Sequence, residues 1–244
     1  MKFRIPGSYC PGFCFFIFIN MNEDKLDNPS WYSLNETHQS FAIGNHEIKF
    51  YHPDICPFGG INSKNPDLIG FLKSNPQLKE FFIIGKRPPT NADVIIEKEL
   101  VCLQMTCSSP IKIEFTENII HLNKEHQQEL VALVNLVQPG YFKADTSSMG
   151  DYYGIFKDDT LIAVTGERMK MFGFTEISAV VTHPDFTGRG FAKQLVAHTV
   201  NKTFEQNITP YLHVAETNTG AIKLYEKLGF GTRRKISFWK MKKL

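Results

Sequence analysis

"HPDFTGRGFAKQL", residues 183–195, sets two glycines and an arginine between a proline and the start of an apolar stripe. The run before it, Ile177-Ser178-Ala179-Val180-Val181-Thr182, is short and rich in β-branched residues, so it reads as a strand ending at Pro184. Behind it, Ala192, Val196, Val200 and Phe204 recur every four residues with Leu195 beside them, the period of a helix face. Gly188 and Gly190 therefore fall in a strand-to-helix turn. Such a turn presents the unpaired N–H groups of the first helical residues, where the helix dipole is positive, and phosphate is its natural guest. Without Cβ atoms, Gly188 and Gly190 let an anion approach the main chain, and Arg189 adds a cation. From these residues alone, phosphate binding and plain turn chemistry both stay open. The nucleoside triphosphatase loop, Gly-x-x-x-x-Gly-Lys with Ser or Thr, does not occur. The dinucleotide fingerprint fails because Lys193 stands where its third glycine belongs.

A chain of 244 residues with 42% hydrophobic content can bury a substantial core in one large domain or two small ones. A formal net charge of +2 carries no electrostatic argument for nucleic acid, and none is expected as a partner. Arg233, Arg234, Lys235, Lys240, Lys242 and Lys243 make the C-terminus locally basic, which fits a solvated strand edge or contact with an anionic cofactor. Five cysteines, Cys10, Cys14, Cys56, Cys102 and Cys107, are odd in number and lack Cys-x-x-Cys spacing, which speaks for a reducing, cytoplasmic setting over a disulfide framework. His52 and Cys56 are a single pair with no second pair at ligand spacing, so no metal is expected. "GFCFFIFI", residues 12–19, is apolar but too short to span a bilayer. Residues 1–20 are expected to be a disordered or upstream extension with Met21 as the start, a signal or anchor segment being the alternative, and no membrane association is expected.

A small, polar stretch near "TCSSP", residues 106–110, is the expected boundary between an N-terminal α/β domain, 21–108, and a C-terminal domain, 109–244. Upstream, residues 46–53, 80–89 and 99–105 read as strands, and 67–75 as a short helix; no constellation there suggests chemistry. Downstream, "IKIEF" (111–115) reads as a strand, and Asn123 can cap a helix carrying Leu130, Leu133, Val134 and Val137 at i, i+3, i+4, i+7. Two alternating strands follow about a turn at Lys157–Thr160, then the strand ending at Pro184, the long helix, a strand at 209–216, a helix at 218–230 ended by Gly229, and a last strand. The order β-α-β-β-β-α-β-α-β implies an α/β (α+β) mixed sheet flanked by helices.

In "EISAVVTHPDFTGRGFA", "YLHVAETN" and "NTGAIKLYEKLGF", residues 109–244 resemble the GCN5-related N-acetyltransferase (GNAT) family, in its branch similar to the C-terminal, FR47-like domain of glycine N-acyltransferase. The resemblance implies a mixed, mostly antiparallel sheet and acetyl-CoA or another acyl-CoA as co-substrate. The CoA diphosphate is then expected on Thr187, Gly188, Arg189, Gly190, Phe191 and Ala192. The family turn usually opens with Arg or Gln; here Thr187 takes that place and is expected to donate through its hydroxyl. The pantetheine arm is expected to pair like a strand with the backbone of Val181 and Thr182.

By the same resemblance, Tyr225 is the general acid beside the thiol sulfur; a phenol of pKa about 10 is protonated at neutral pH. Tyr225 also lies on the apolar stripe, where a core role suffices. Asn218 resembles the asparagine that contacts the CoA arm and equally suits a helix N-cap. Glu176, fourteen positions before Gly190, has the spacing of the base in histone-type members, and partial burial is expected to raise its pKa. His183 is a reserve candidate. The implied reaction is acyl transfer, most simply of acetyl, to a small-molecule amine, amino acid or peptide; an acyl-CoA-binding sensor without turnover is the alternative. Acceptor choice falls to the first helix and the loop after it, where Tyr141 and Phe142 either line a pocket or pack inward. Oligomeric state is not legible. A diverged second copy of the fold in the N-terminal half stays open, without a repeated motif to support it.

Overall fold

The computed structural model describes residues 23–244. Cys10, Cys14, the apolar run at 12–19 and Met21 lie outside the described residues. The N-terminal half contributes α1 (Pro29–Asn35), β1 (Ala42–Gly44), β2 (Ile48–Tyr51), β3 (Phe58–Ile61), α2 (Leu68–Ser74), β4 (Glu80–Ile84) and β5 (Val94–Cys107). Then come β6 (Ile120–Leu122), α3 (Gln127–Val137), β7 (Tyr152–Lys157), β8 (Thr160–Met171), β9 (Phe174–Thr182), α4 (Phe191–Glu205), β10 (Thr209–Ala215), α5 (Thr219–Lys227) and β11 (Phe230–Lys243).

From β6 onward the element order is the one expected, but its first strand is displaced. Residues 111–115 are not in the sheet. Their alternation is met instead by a side chain of α4: Asn201 Oδ1 accepts from Ile111 N–H at 2.7 Å, and its Nδ2 donates to the Ile111 carbonyl at 2.9 Å. An amide side chain can satisfy one residue's backbone as well as a ladder does, which a period-two pattern cannot reveal.

All described strands join one sheet in the order β1-β2-β3-β4-β11-β5-β10-β9-β8-β7-β6. It is antiparallel except at β3–β4 and β9–β10. Its centre is the long pair β5–β11, which runs from Phe230↔Cys107 to Lys243↔Val94 with register shifts between Thr232 and Arg234 and between Lys240 and Met241. The C-terminal part of β5 also pairs with β10, through Tyr211↔Thr106 to Ala215↔Cys102. The C-terminal part of β11 pairs with β4, through Phe238↔Ile84 to Lys242↔Glu80. Each half thus completes the other's sheet with its last strand. On either side the motif repeats: an antiparallel hairpin, a parallel step (β3–β4, β9–β10) bridged by a helix (α2, α4), and the exchanged strand. The sheet therefore runs without a break across residue 108, where a boundary was expected.

Burial follows the same plan. One cluster at the junction takes Tyr51, Cys56, Phe58 and Phe82 from the N-terminal half and Met149, Met169, Ile236 and Phe238 from the other. On the opposite face α4 and α5 bury Val196, Val200, Leu228 and Tyr225 against Met105, Ile177 and Leu212. Helix α1 packs on the first face, where Ser33 Oγ donates to the Lys170 carbonyl of β8 at 2.6 Å.

If strand exchange is what closes the core, residues 109–244 expressed alone lack β5 and leave β10 and β11 with open edges. That fragment should give no cooperative thermal transition by circular dichroism, and co-expression with residues 1–108 should restore one. A fragment that melts cooperatively alone would show the halves to be independent.

Candidate active site

β9 and β10 run side by side only from Phe174↔Thr209 to Glu176↔Tyr211. Beyond that point β10 continues against β5 and β9 against β8, so the two parallel strands part. A bulge turns β9 away: its pairing with β8 shifts register between Val164 and Gly166, and Ala179 takes φ +49°. Along residues 177–182 the β10-facing edge of β9 has no ladder partner among the described residues. Val181, opposite Val164, and Thr182, opposite Ala163, lie in that open stretch. An open strand edge accepts an extended chain bearing amide groups.

The open edge leads into the glycine turn. After Thr182, a 3-10 turn (Pro184–Phe186) precedes Thr187 and the entry to α4. Gly188 and Gly190 hold φ +76° and +82°, and a Cβ on either would meet no atom within 4 Å. The first bond into the helix is Gln194 N–H to the Gly190 carbonyl at 3.2 Å. The N–H groups of residues 188–193 have no partner among the described residues, which leaves a row of donors at the positive end of a 15-residue helix. Phe191 holds this end in place, buried against Tyr153, Ile155 and Leu195, while Ala192 is half-buried. Arg189 folds back, its Nη2 donating to the Asp185 carbonyl at 3.2 Å and its guanidinium 5.0 Å above the Phe186 ring.

Thr187 departs from expectation: its hydroxyl at 3.1 Å and its own N–H at 3.5 Å both donate to the Pro184 carbonyl, so the donors the turn leaves open begin at Gly188. His183 accepts at Nδ1 from Asp185 N–H at 3.3 Å and serves the turn locally.

Tyr225 is 7% exposed and packs with Ile177 and Val180 of β9, Val214 of β10 and Val196 of α4, beside the place where the strands part. Burial pushes its pKa up to about 12, so the phenol keeps its proton at neutral pH. Its hydroxyl has no hydrogen-bond partner among the described residues. Asn218 caps α5, its Oδ1 accepting from Ala221 N–H at 3.1 Å, and is otherwise exposed. The cap role is present in full, and the Nδ2 group remains for other contacts.

Glu176 requires a correction. It is 1% exposed, and both its oxygens are taken: Oε2 by Arg168 Nε and Oε1 by Arg168 Nη2, each at 2.8 Å, with His213 Nδ1 also 2.7 Å from Oε1. Burial by itself would raise this pKa, but the Arg168 charge, its two hydrogen bonds and His213 outweigh burial and bring it down to about 2. The expected raised pKa is thereby reversed. A carboxylate so held is a weak base, and it lies on the face of β9 opposite Ile177 and α4.

Three residues of this assembly carried no role in the sequence reading. Gln104 Nε2 donates to the Leu26 carbonyl at 2.7 Å and lies 3.0 Å from His213 Nε2, while Gln104 Oε1 accepts from Arg233 Nη1 at 2.9 Å. With a proton on Nδ1, His213 donates to Glu176 Oε1 and accepts at Nε2 from Gln104 Nε2. Arg168, His213 and Gln104 thus form a buried polar chain reaching Arg233 and Asp27. The available signal was a His inside the otherwise apolar strand "YLHVA"; Arg168 sits among Thr165, Glu167 and Lys170 and gave no such signal. Elsewhere, Cys56 is buried with its thiol pushed up to about 12, apart from the exposed His52. No helix among the described residues is long and apolar enough to cross a membrane.

Residues 152–239 match the family described as FR47-like protein. The whole architecture is that of GNAT acetyltransferases. A protein assigned to the GNAT family of acetyltransferases from Novosphingobium aromaticivorans superposes with TM-score 0.79 at 26% identity, covering 90% of this chain and 98% of its own. A GCN5-related N-acetyltransferase from Kribbella flavida shares the fold, with TM-score 0.58 at 13% identity over 86% of this chain and 92% of its own. So does a GNAT-family acetyltransferase from Colwellia psychrerythraea, with TM-score 0.53 at 12% identity, covering 86% and 96%. No curated protein matches the sequence.

The Arg168–Glu176 pair has a measurable consequence. With its pKa lowered from 4.5 to about 2, Glu176 stabilises the fold above about pH 4.5, and that contribution drains away as pH falls towards 2. Glu176→Gln leaves a buried guanidinium without its charge partner and should cost about 3–5 kcal/mol at pH 6. Urea unfolding at pH 6 and pH 3 reads both effects, with the variant showing the flatter profile. Equal stability of variant and wild type at pH 6 would refute the pairing.

Proposed function

We propose that this chain, with its GNAT fold and FR47-like segment, is an acyl-CoA-dependent N-acyltransferase that moves an acetyl group from acetyl-CoA to a primary amine. The observation that carries the reading is the continuity of two features: the edge of β9 left open beyond Glu176 runs straight into a turn of free N–H groups and uncovered glycines. The first suits the amide-bearing pantetheine arm, along Val181 and Thr182. The second suits a diphosphate, on Gly188 through Ala192 with the Arg189 charge beside it. Thr187 would shape the turn through its two bonds to the Pro184 carbonyl, and Asn218 would join through its Nδ2 group.

Bound there, acetyl-CoA would supply its acyl group as a thioester. The amine nitrogen forms the new N–C bond as the C–S bond breaks. Tyr225 donates its phenolic proton to the departing sulfur and regains a proton, by way of water, from the acylated nitrogen, so CoA leaves as the thiol and the product is a neutral amide. Glu176 is a positioning residue for Arg168 in this scheme, and the nitrogen's proton leaves through solvent. A second reading, an acyl-CoA-binding module without turnover, draws support from the engagement of both Glu176 oxygens.

Tyr225→Phe should lower turnover by about tenfold or more, read as thiol release, with CoA affinity by calorimetry unchanged. Gly190→Val, which puts a branched side chain over the turn and strains its φ of +82°, should weaken CoA binding by about tenfold or more. Unchanged turnover in the first variant removes the proton donor, and unchanged affinity in the second removes the diphosphate site.

A further inference from the structure

Two residues inside strands hold positive φ although they carry a Cβ: Met169 of β8 at +38° and Ala179 of β9 at +49°. The other described non-glycine residues in that region, Asp158, Asp159 and Asn207, are of types that enter it readily. For Ala and Met the left-handed region is costly, and a residue stays there only where its surroundings fix it. Each of the two has such a fixing contact, and both contacts are of one kind. Tyr211 of β10 donates its hydroxyl to the Met169 carbonyl at 2.9 Å. Thr165 of β8 donates its hydroxyl to the Ser178 carbonyl at 3.2 Å.

The second bond falls at the point where β9 bends. Pairing of β8 with β9 passes from Gly166↔Ser178 to Val164↔Val181, so Thr165 alone stands against both Ala179 and Val180. The Ser178 carbonyl belongs to the peptide group that joins Ser178 to Ala179, and the orientation of that plane enters the φ of Ala179 directly. Thr165 has no exposed surface, so its hydroxyl is shielded from water. On its other side Thr165 pairs with Tyr153, which is buried with Phe191 and Leu195 of α4, and directly opposed residues share a face. Its side chain therefore lies on the α4 side of the sheet, under the helix that carries the glycine turn.

We propose that Thr165 is a positioning residue for the co-substrate: its hydroxyl fixes the peptide plane on which the Ala179 bend turns, and this keeps the edge of Val180, Val181 and Thr182 swung away from β10. The assignment rests on the acyl-CoA reading and adds to it a cross-strand side-chain bond that holds the pantetheine edge open. Without the hydroxyl, Ala179 relaxes towards extended φ and the edge closes on β10, so the arm loses its amide partners. The diphosphate turn, anchored separately by Phe191 in its own apolar cluster, keeps its place.

The test is calorimetry on the full chain with two ligands: CoA, and 3′-phospho-ADP, which has the diphosphate and no pantetheine arm. Thr165→Val keeps the shape of the side chain and removes the donor; it should weaken CoA binding by about fivefold or more, the worth of one hydrogen bond, and leave 3′-phospho-ADP unchanged. Thr165→Ser restores the donor and should return CoA affinity to within about twofold of wild type. Ala179→Val attacks the bend from the other strand, because a β-branched residue resists positive φ, and the Ala179 side chain packs with the α3 cluster, away from α4. It should show the same split between the two ligands, and it carries the test if Thr165→Val gives no cooperative thermal transition. Unchanged CoA affinity in whichever of these variants folds, an equal loss for both ligands, or a Thr165→Ser as weak as Thr165→Val overturns the proposal and leaves the acyl-CoA reading standing. A wild-type chain that binds neither ligand overturns that reading and the proposal with it.

Discussion

The pairing of β5 with β11 is the contact on which the rest of the molecule depends. These two long strands, paired from Cys107↔Phe230 to Val94↔Lys243 through two register shifts, carry the hydrogen bonds by which each half is finished with a strand from the other. Because β5 belongs to the N-terminal half and lies against β10, the strand that parts from β9 is held on its far side by the other half of the chain. Contacts so distant in sequence are entropically costly to form, and burial at the junction offsets that cost: Phe58 and Phe82 from one half meet Phe238 and Met169 from the other in one apolar cluster.

That exchange places the functional features on two sides of one strand. β9 presents Ile177 and Val180 to α4, α5 and Tyr225. It presents Glu176 and Ser178 to the junction and the N-terminal half. At Ala179 the bulge breaks the ladder, and β9 opens towards both sides.

The buried ionic chain from Arg168 to Asp27 is the other structural commitment. A paired charge in a protein interior contributes little net stability, yet its disruption is costly, because the partner left behind is neither solvated nor neutralised. Here the chain crosses from β8 and β9 through His213 and Gln104 to Arg233 and the segment before α1, so it also ties the two halves in one orientation. Glu176 is part of this scaffold. Its spacing from the glycine turn suggested a base; the guanidinium that removes it from that role lies in the neighbouring strand, which no spacing along β9 records.

By itself the sequence determined what short-range physics governs: the β-branched run ending at Thr182, the stripe of α4, the glycines that need positive φ, and the Asn123 and Asn218 caps. Each of these follows from a periodicity or a backbone preference within a few residues, and the order of elements from β6 to β11 followed with them. Tertiary structure alone decided that Ile111 bonds to Asn201 and not to a strand, that β5 crosses into the other half, that Arg168 meets Glu176, and that Tyr141 stands opposite Phe82. These depend on which groups meet across long chain separations, and they arise from the requirement that every buried polar group find a partner and every apolar face a cover. A one-dimensional pattern shows that such partners are needed, and the packed sheet selects which ones are met.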